Sequence, residues 1–322
     1  MKTMKWLIRR EMWEHKGMLL RAPLVVGALM TLFVAMMLLN GHNVGFAVNG
    51  HQGSLSDAVA GMSGDDQQRA TLMAAMARAY MATSAPIFMM LGFLVFFYCL
   101  GALHDERRDR SMLFWKSLPV SDRMTVLSKA VLALAVTPAI TIAIGTLTSL
   151  LMLLMLCAAL AVKGVNVFGA LLAAPEFYLA PLRVAGLLPV YILWALPTVG
   201  WLLMVSSWAR SKVFVWAVGA PVLTGVLAIW ANRAFELGWN TEWFMHAIVA
   251  RILVGVAPGA WFLFSDVGSS GALMQGGQKL DLAGIFEQSW GTLGSASVWI
   301  GVAAGVAMLC TAVWLRRWRD EG

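Results

Sequence analysis

Apolar residues in this chain come in long unbroken blocks, not at the alternating spacing of a half-buried strand or the three-and-four spacing of a surface helix. Six blocks stand out: Ala22–Leu39, Pro86–Leu103, Val126–Val162, Val184–Trp208, Val213–Ala231 and Ser297–Leu315. A helix needs about 20 mostly apolar residues to cross a hydrocarbon core about 30 Å thick. The pattern therefore predicts an all-α, polytopic membrane protein with about six transmembrane helices. Pro138, Pro189, Pro197 and Pro221 fall inside the blocks. Spanning helices tolerate proline where neighbouring groups satisfy the freed carbonyls, so these positions are expected to mark kinks.

The polar stretches between the blocks set the organisation of the chain. Residues 1–21 mix charge with Met4, Leu7, Ile8 and Met12 near one helical face and carry Trp6 and Trp13, the pattern of an interfacial elbow helix. This stretch lacks the features of a cleavable signal. Residues 41–85 read as an external loop that becomes helical from about Asp65 to Met81. Residues 232–296 read as a periplasmic helical insertion between spans five and six. Within it, 243–264 is apolar enough to suggest a seventh span but contains Arg251. An arginine at mid-span costs about 2.5–3.5 kcal/mol on insertion scales, and a seventh span would also put Arg316, Arg317 and Arg319 outside. The segment is accordingly expected to be an external helix or a re-entrant element.

Composition agrees with a single membrane domain over 1–322. Hydrophobic residues make up 60% of the chain, charged residues 13%, and mean hydropathy is +0.74, whereas a soluble domain is about a quarter charged. The net charge of +7 follows the bias of basic residues toward cytoplasmic loops. With both termini inside, 17 of the 24 Lys and Arg lie in 1–21, 104–129, 209–212 and 316–322. No basic stripe accompanies a nucleic-acid motif, which argues against a nucleic-acid partner. Cys99, Cys157 and Cys310 sit in apolar segments without the spacing of a disulfide framework or metal site. Glu242 and His246, four apart, are too few to hold a metal.

Candidate chemistry is defined first by what is missing. The chain contains no Gly-Lys dipeptide, so it cannot form the phosphate-cradling loop of a Walker A motif. The spans carry no ionisable residue away from their ends. Ion-coupled transport and intramembrane catalysis both need such groups. The chain is expected to have no catalytic residues, metal site or cofactor of its own, and not to be an enzyme.

The most informative polar segment is 104–126. Asp105, Glu106, Arg107, Arg108, Asp109 and Arg110 form a mixed-sign cluster at the foot of span two. Met112, Leu113, Phe114 and Trp115 follow as an apolar knuckle, Pro119 breaks the helix, and Ser121 is placed to cap the next one. Arginine beside exposed aromatics is the composition of a protein-docking surface. The plainer reading is a solvated turn with an interfacial tryptophan.

The strings Asp-Glu-Arg-Arg-Asp-Arg-Ser at 105–111, Ser-Leu-Pro-Val-Ser at 117–121 and Leu-Ser-Lys at 127–129 resemble the type-2 ABC exporter permease family. Members commonly carry an acidic-Arg pair after span two and a Ser-Leu-Pro-Val-Ser-Arg-like string leading into span three. Here Asp122 intervenes before Arg123, and Arg110-Ser111 replaces the usual Gly-Thr. The wider layout, with a basic elbow, six spans and an insertion before the last, matches across most of the chain.

The resemblance implies a bacterial inner-membrane permease with both termini cytoplasmic, paired with a separate cytoplasmic ATPase that holds ATP and Mg2+. A second permease copy or a paralogue would complete the exporter, embedded in membrane lipid. It implies an ATPase interface at Asp105, Glu106, Arg107, Arg108, Arg110, Met112, Phe114 and Trp115, with Arg9 and Arg10 on the elbow. The apolar spans suggest an amphipathic or hydrophobic cargo such as a lipid, a peptide or a drug-like compound.

Thr137, Thr141 and Thr148 recur at helical spacing in span three, and Tyr191 and Trp194 lie in span four. Hydroxyl and small residues on one face usually mean close helix packing; a substrate route or a dimer seam is the other reading. A non-transport scaffold or sensor subunit also accounts for spans without charge, though less well for the charged, aromatic segment at 104–126.

Overall fold

The computed structural model describes residues 2–39, 46–48, 51–53, 73, 76–77, 80–108, 121–265 and 282–318. Helix α1 is Lys2–Glu14. Six helices are long and apolar enough to cross a membrane: α2 Gly17–Leu39, α3 Tyr80–Arg108, α4 Asp122–Val162, α5 Pro175–Trp208, α6 Val215–Phe235 and, last in the chain, α10 Ala296–Trp318. They contain the six apolar blocks, save that the fifth begins two residues before α6. Between α6 and α10 lie α7 (241–254), α8 Trp261–Phe264 and α9 Leu282–Gly291. The expectation of an all-helical chain holds among the described residues except for one two-stranded antiparallel ribbon, β1 Phe46–Val48 with β2 His51–Gly53, in which Phe46 pairs with Gly53. Of the helix expected at 65–81, the described residues 73 and 76–77 are helical, and a 3-10 turn at Tyr80–Ser84 leads into α3. The rest of that segment lies outside the described residues.

Proline shapes three of the long helices in the same way. A wide π turn at Gly17–Arg21 precedes Pro23, one at Leu132–Val136 precedes Pro138, and one at Val215–Gly219 precedes Pro221. Proline has no N–H, and its ring pushes away the carbonyl four residues back. The turn ahead of it widens in response. The Ala22 amide reaches back five residues to the Gly17 carbonyl, and the Thr137 amide does the same to Leu132. The Thr137 hydroxyl also donates to the Leu132 carbonyl at 2.8 Å. The backbone thus stays satisfied within each helix, as hydrocarbon requires.

Helix α5 is the hub. Val190, Tyr191, Trp194, Ala195, Val199, Leu202 and Leu203 along it are all buried. It packs along α10 with backbone against backbone: a Cβ on Gly200 would lie 2.6 Å from the Gly305 carbonyl oxygen, and one on Gly305 would lie 2.8 Å from that of Leu196. Small residues allow this approach, and close packing replaces the hydrophobic drive that lipid removes. Helices α2 and α6 stand at the rim and expose broad apolar faces, including Leu29, Leu32 and Phe33 on one and Leu223, Val226 and Trp230 on the other.

The segment 243–264 is not among the six long helices. Helix α7 runs back along α6, with Met245 and Val249 against Gly225. The chain then turns at 255–260 and returns as α8. Ala257 at the turn touches Gly92 of α3, and the Tyr191 hydroxyl donates to the Val256 carbonyl at 3.1 Å. Trp261 of α8 donates its indole N–H to Ser289 Oγ of α9 at 2.9 Å. The segment is therefore a helical hairpin wedged among α3, α5 and α6. We call the end of the bundle holding α1 and the end of α10 basal, and the hairpin end distal.

Replacing Gly200 by valine would force α5 and α10 apart. The expected cost is about 1–3 kcal/mol, as for overpacking in a tight core. Thermal unfolding in detergent, followed by the helical signal, would show it, with Gly284→Ala as a control because nothing lies within 4 Å of that position.

Candidate functional site

The basal end gathers charged groups from four segments that are far apart in the sequence. Glu11 comes from α1, Glu106 from the last turns of α3, Asp122 and Lys129 from the first turns of α4, and Arg316 from the end of α10. Lys129 is 1% exposed and Glu11 2%. The Lys129 ammonium lies 2.9 Å from Glu11 Oε1 and 2.9 Å from Glu106 Oε1. Arg316 Nη1 lies 2.9 Å from Glu106 Oε2, and its Nε 3.1 Å from Asp122 Oδ1. The Tyr98 hydroxyl donates to Glu11 Oε2 at 3.2 Å. A buried ion pair recovers its desolvation cost only when geometry is good and the remaining lone pairs are satisfied; these shared, bridging contacts meet that condition.

Local sequence explains how each group reaches the cluster. Glu11 follows Leu7 by four residues, and both point inward, so α1 buries a mixed face and leaves Trp6 and Trp13 exposed. Helix α4 begins where Ser121, in extended conformation, accepts the Met124 amide with its side chain at 3.4 Å. That N-cap is the one expected from sequence. Asp122 then sits in the first turn of α4, where a helix dipole favours negative charge, and Arg316 in the last turn of α10, where it favours positive charge.

A second set of bonds ties the foot of α3 to the end of α5. The Leu103 and His104 amides donate to Ser206 Oγ at 3.1 and 3.0 Å. Arg107 donates to the carbonyls of Ser206 and Ala209. Those carbonyls end a helix and have no partner within it, so the arginine caps α5 with a charge of favourable sign.

Segment 109–120 lies outside the described residues, and with it Arg110, Met112, Phe114 and Trp115. Its two stems are described. Glu106 stands just before it and Asp122 just after, and the single Arg316 guanidinium grips both. Lys129 extends the connection to α1 through Glu11. The residues flanking 109–120 are thereby tied to α1 and α10 through short ionic contacts.

The other residues singled out from sequence fall as follows. Asp105, Arg108 and Arg9 are exposed beside this cluster, and Arg10 pairs with Glu14 on its own helix at 3.3 Å. Thr141 donates to the Thr137 carbonyl at 3.0 Å. Thr148 packs against Gly27 of α2. All three threonines are buried and engaged in helix packing. Tyr191 and Trp194 are buried at the centre, and the Trp194 indole donates to Thr292 Oγ1 at 3.1 Å. Among the described residues, no group of three or more His, Cys, Asp or Glu could hold a metal ion.

Glu11 was not singled out from sequence; Lys129 entered only as the end of the Leu-Ser-Lys string and Arg316 only as one of the basic residues after the last span. Their partners lie 118 and 210 residues away along the chain, which no local pattern signals. The available hint was a lone lysine one turn inside an apolar helix and a lone acid on the apolar face of α1.

Lys129→Met would leave Glu11 and Glu106 facing each other without the cation, at an expected cost of roughly 3–5 kcal/mol. Denaturation in detergent would register this, and Glu11→Gln combined with Lys129→Met should cost less than the two single changes added together, since they share one interaction.

Neither protein-family models, curated proteins nor solved structures provide a match to this chain.

Proposed function

We propose that this chain is the membrane-spanning permease subunit of an ABC exporter, driven by a separate cytoplasmic ATPase. The observation that carries the reading is the double grip of Arg316 on Glu106 and Asp122. A docking loop is useful to a permease only if its motion reaches the spans, and this contact joins the stems of 109–120 to the last span. Lys129 adds the N-terminal helix. The resemblance of 105–129 to the family's loop supports the same assignment, as does the absence of a Walker A sequence from the chain.

In this reading the basal end faces the cytoplasm, in line with the excess of Lys and Arg there. Helix α1 lies at the interface as the elbow, with Trp6 and Trp13 toward the headgroups. The hairpin 241–264 is a re-entrant element entering from the opposite face; its backbone bends inside the bundle, where protein can satisfy it. Phe114 and Trp115 are the apolar contact for the ATPase. The broad apolar faces of α2 and α6 meet lipid or a second permease. The cargo is an amphipathic or hydrophobic molecule.

Four measurements test this. The chain should co-purify with a soluble ATPase and, reconstituted alone, should hydrolyse no ATP. In the complex, Phe114→Ala with Trp115→Ala, and separately Arg316→Gln, should abolish transport while ATP binding persists. Unchanged transport in both variants would refute the coupling role, and accessibility labelling that put 104–126 on the same side as 241–264 would refute the topology.

A further inference from the structure

Arg251 is a buried cation that pairs with no anion among the described residues. It lies near the inner end of α7, 7% exposed. Its Nη1 donates to the Ser297 carbonyl at 2.8 Å, and its guanidinium lies over the Trp194 ring, 4.5 Å from the centroid. Its Nε and Nη2 are buried and have no hydrogen-bond partner. An arginine keeps its charge under these conditions. Cation–π contact recovers about 2 kcal/mol when desolvated, which falls short of the cost of a buried, half-satisfied charge.

The geometry of the unused donors is specific. Nε and Nη2 lie on the same edge of the guanidinium. That edge is the side-on fork that takes two oxygens of a carboxylate or phosphate at once. The donor already engaged, Nη1, lies on the other edge. The Ser297 hydroxyl is likewise buried without a partner, on the residue whose carbonyl anchors Arg251. Gly301, one turn further along α10, is what lets the guanidinium sit there, since a Cβ would collide with it. Five of the six buried, unpartnered side-chain atoms among the described residues belong to Arg251, Ser297, Ser265 and Gln288, all at or beside the distal end. At the basal end, by contrast, Lys129 and Arg316 each hold two carboxylates.

We infer that Arg251 and Ser297 form a binding site for an oxyanion, the phosphate or carboxylate head of an amphiphile, held side-on by Nε and Nη2 with the serine hydroxyl as a further donor. Trp194 supplies the aromatic floor and orients the fork. The site lies where the hairpin meets α10, so a ligand bound there would bridge two elements that otherwise share few polar contacts. This assignment stands on the buried donors and does not depend on the exporter reading.

The test uses the full chain in neutral detergent, with thermal unfolding followed by the helical signal. Short-chain phosphatidylglycerol, inorganic phosphate and a short-chain diacylglycerol without phosphate are titrated separately. The wild type should be stabilised by phosphatidylglycerol and not by the diacylglycerol. Stabilisation by inorganic phosphate as well identifies a site for the free anion; stabilisation by the lipid alone identifies a headgroup site.

Arg251→Gln removes an uncompensated charge. It should therefore be at least as stable as wild type without ligand, yet show no response to phosphatidylglycerol. Arg251→Lys keeps the charge but loses the fork, and should need about tenfold more ligand for the same shift. Ser297→Ala should weaken the response less. If the wild type responds to neither phosphatidylglycerol nor inorganic phosphate, or if the Arg251 and Ser297 variants respond as it does, the site does not exist.

Discussion

The Lys129 ammonium, held between Glu11 and Glu106, is the contact on which the basal half of the molecule depends. It is almost wholly removed from solvent and has a carboxylate oxygen at 2.9 Å on either side. A charge in that position cannot be left unpaired, so α1, α3 and α4 must arrive together for any of them to be correctly placed. Arg316 imposes the same condition on α10. In lipid, apolar surface gives little reason for one helix to prefer another. Ionic contacts at the membrane boundary supply the preference instead. They are directional, and they tolerate no substitute partner among the apolar side chains around them.

The distal half is organised by different forces. Where α5 meets α10, glycines bring backbones into contact. The hairpin between α6 and α10 is held by tyrosine, tryptophan and threonine side chains that bond to carbonyls and hydroxyls of neighbouring elements. These are neutral interactions, each weaker than an ion pair, spread over a larger area. Buried polar atoms without partners collect there too. Among the described residues, the basal end thus holds shared, buried ion pairs, and the distal end holds buried polar atoms of Arg251, Ser265, Gln288 and Ser297 without partners.

The wide turns ahead of Pro23, Pro138 and Pro221 all lie next to the basal end. The first joins α1 to α2, the second follows Lys129 by three residues, and the third opens α6 six residues after Ala209. A helix with a π turn has one carbonyl fewer committed to regular bonding and bends there more readily than elsewhere. The ionic cluster therefore grips rigid helix ends, and the spans beyond them can change direction just past the grip.

Much of this protein was legible from sequence. Blocks of apolar residues long enough to cross a bilayer, basic residues collected on one set of loops, and an arginine that disfavours a seventh span depend on composition along a line, and the six long helices coincide with the blocks. Ser121 as an N-cap was legible for the same reason, since a cap involves residues three apart. The pairing of Glu11 with Lys129 and of Glu106 with Arg316 was not. Those residues are separated by 118 and 210 positions along the chain, and each alone is an ordinary charged residue near a helix end. The roles of Thr137, Tyr191 and Trp194 likewise waited on knowing which face each helix turns inward, since blocks apolar on all sides carry no periodicity to reveal it. Local pattern determined how many long apolar helices there are and where they run; only the packed structure decided which charges meet, because that depends on distances through space that a linear sequence does not encode.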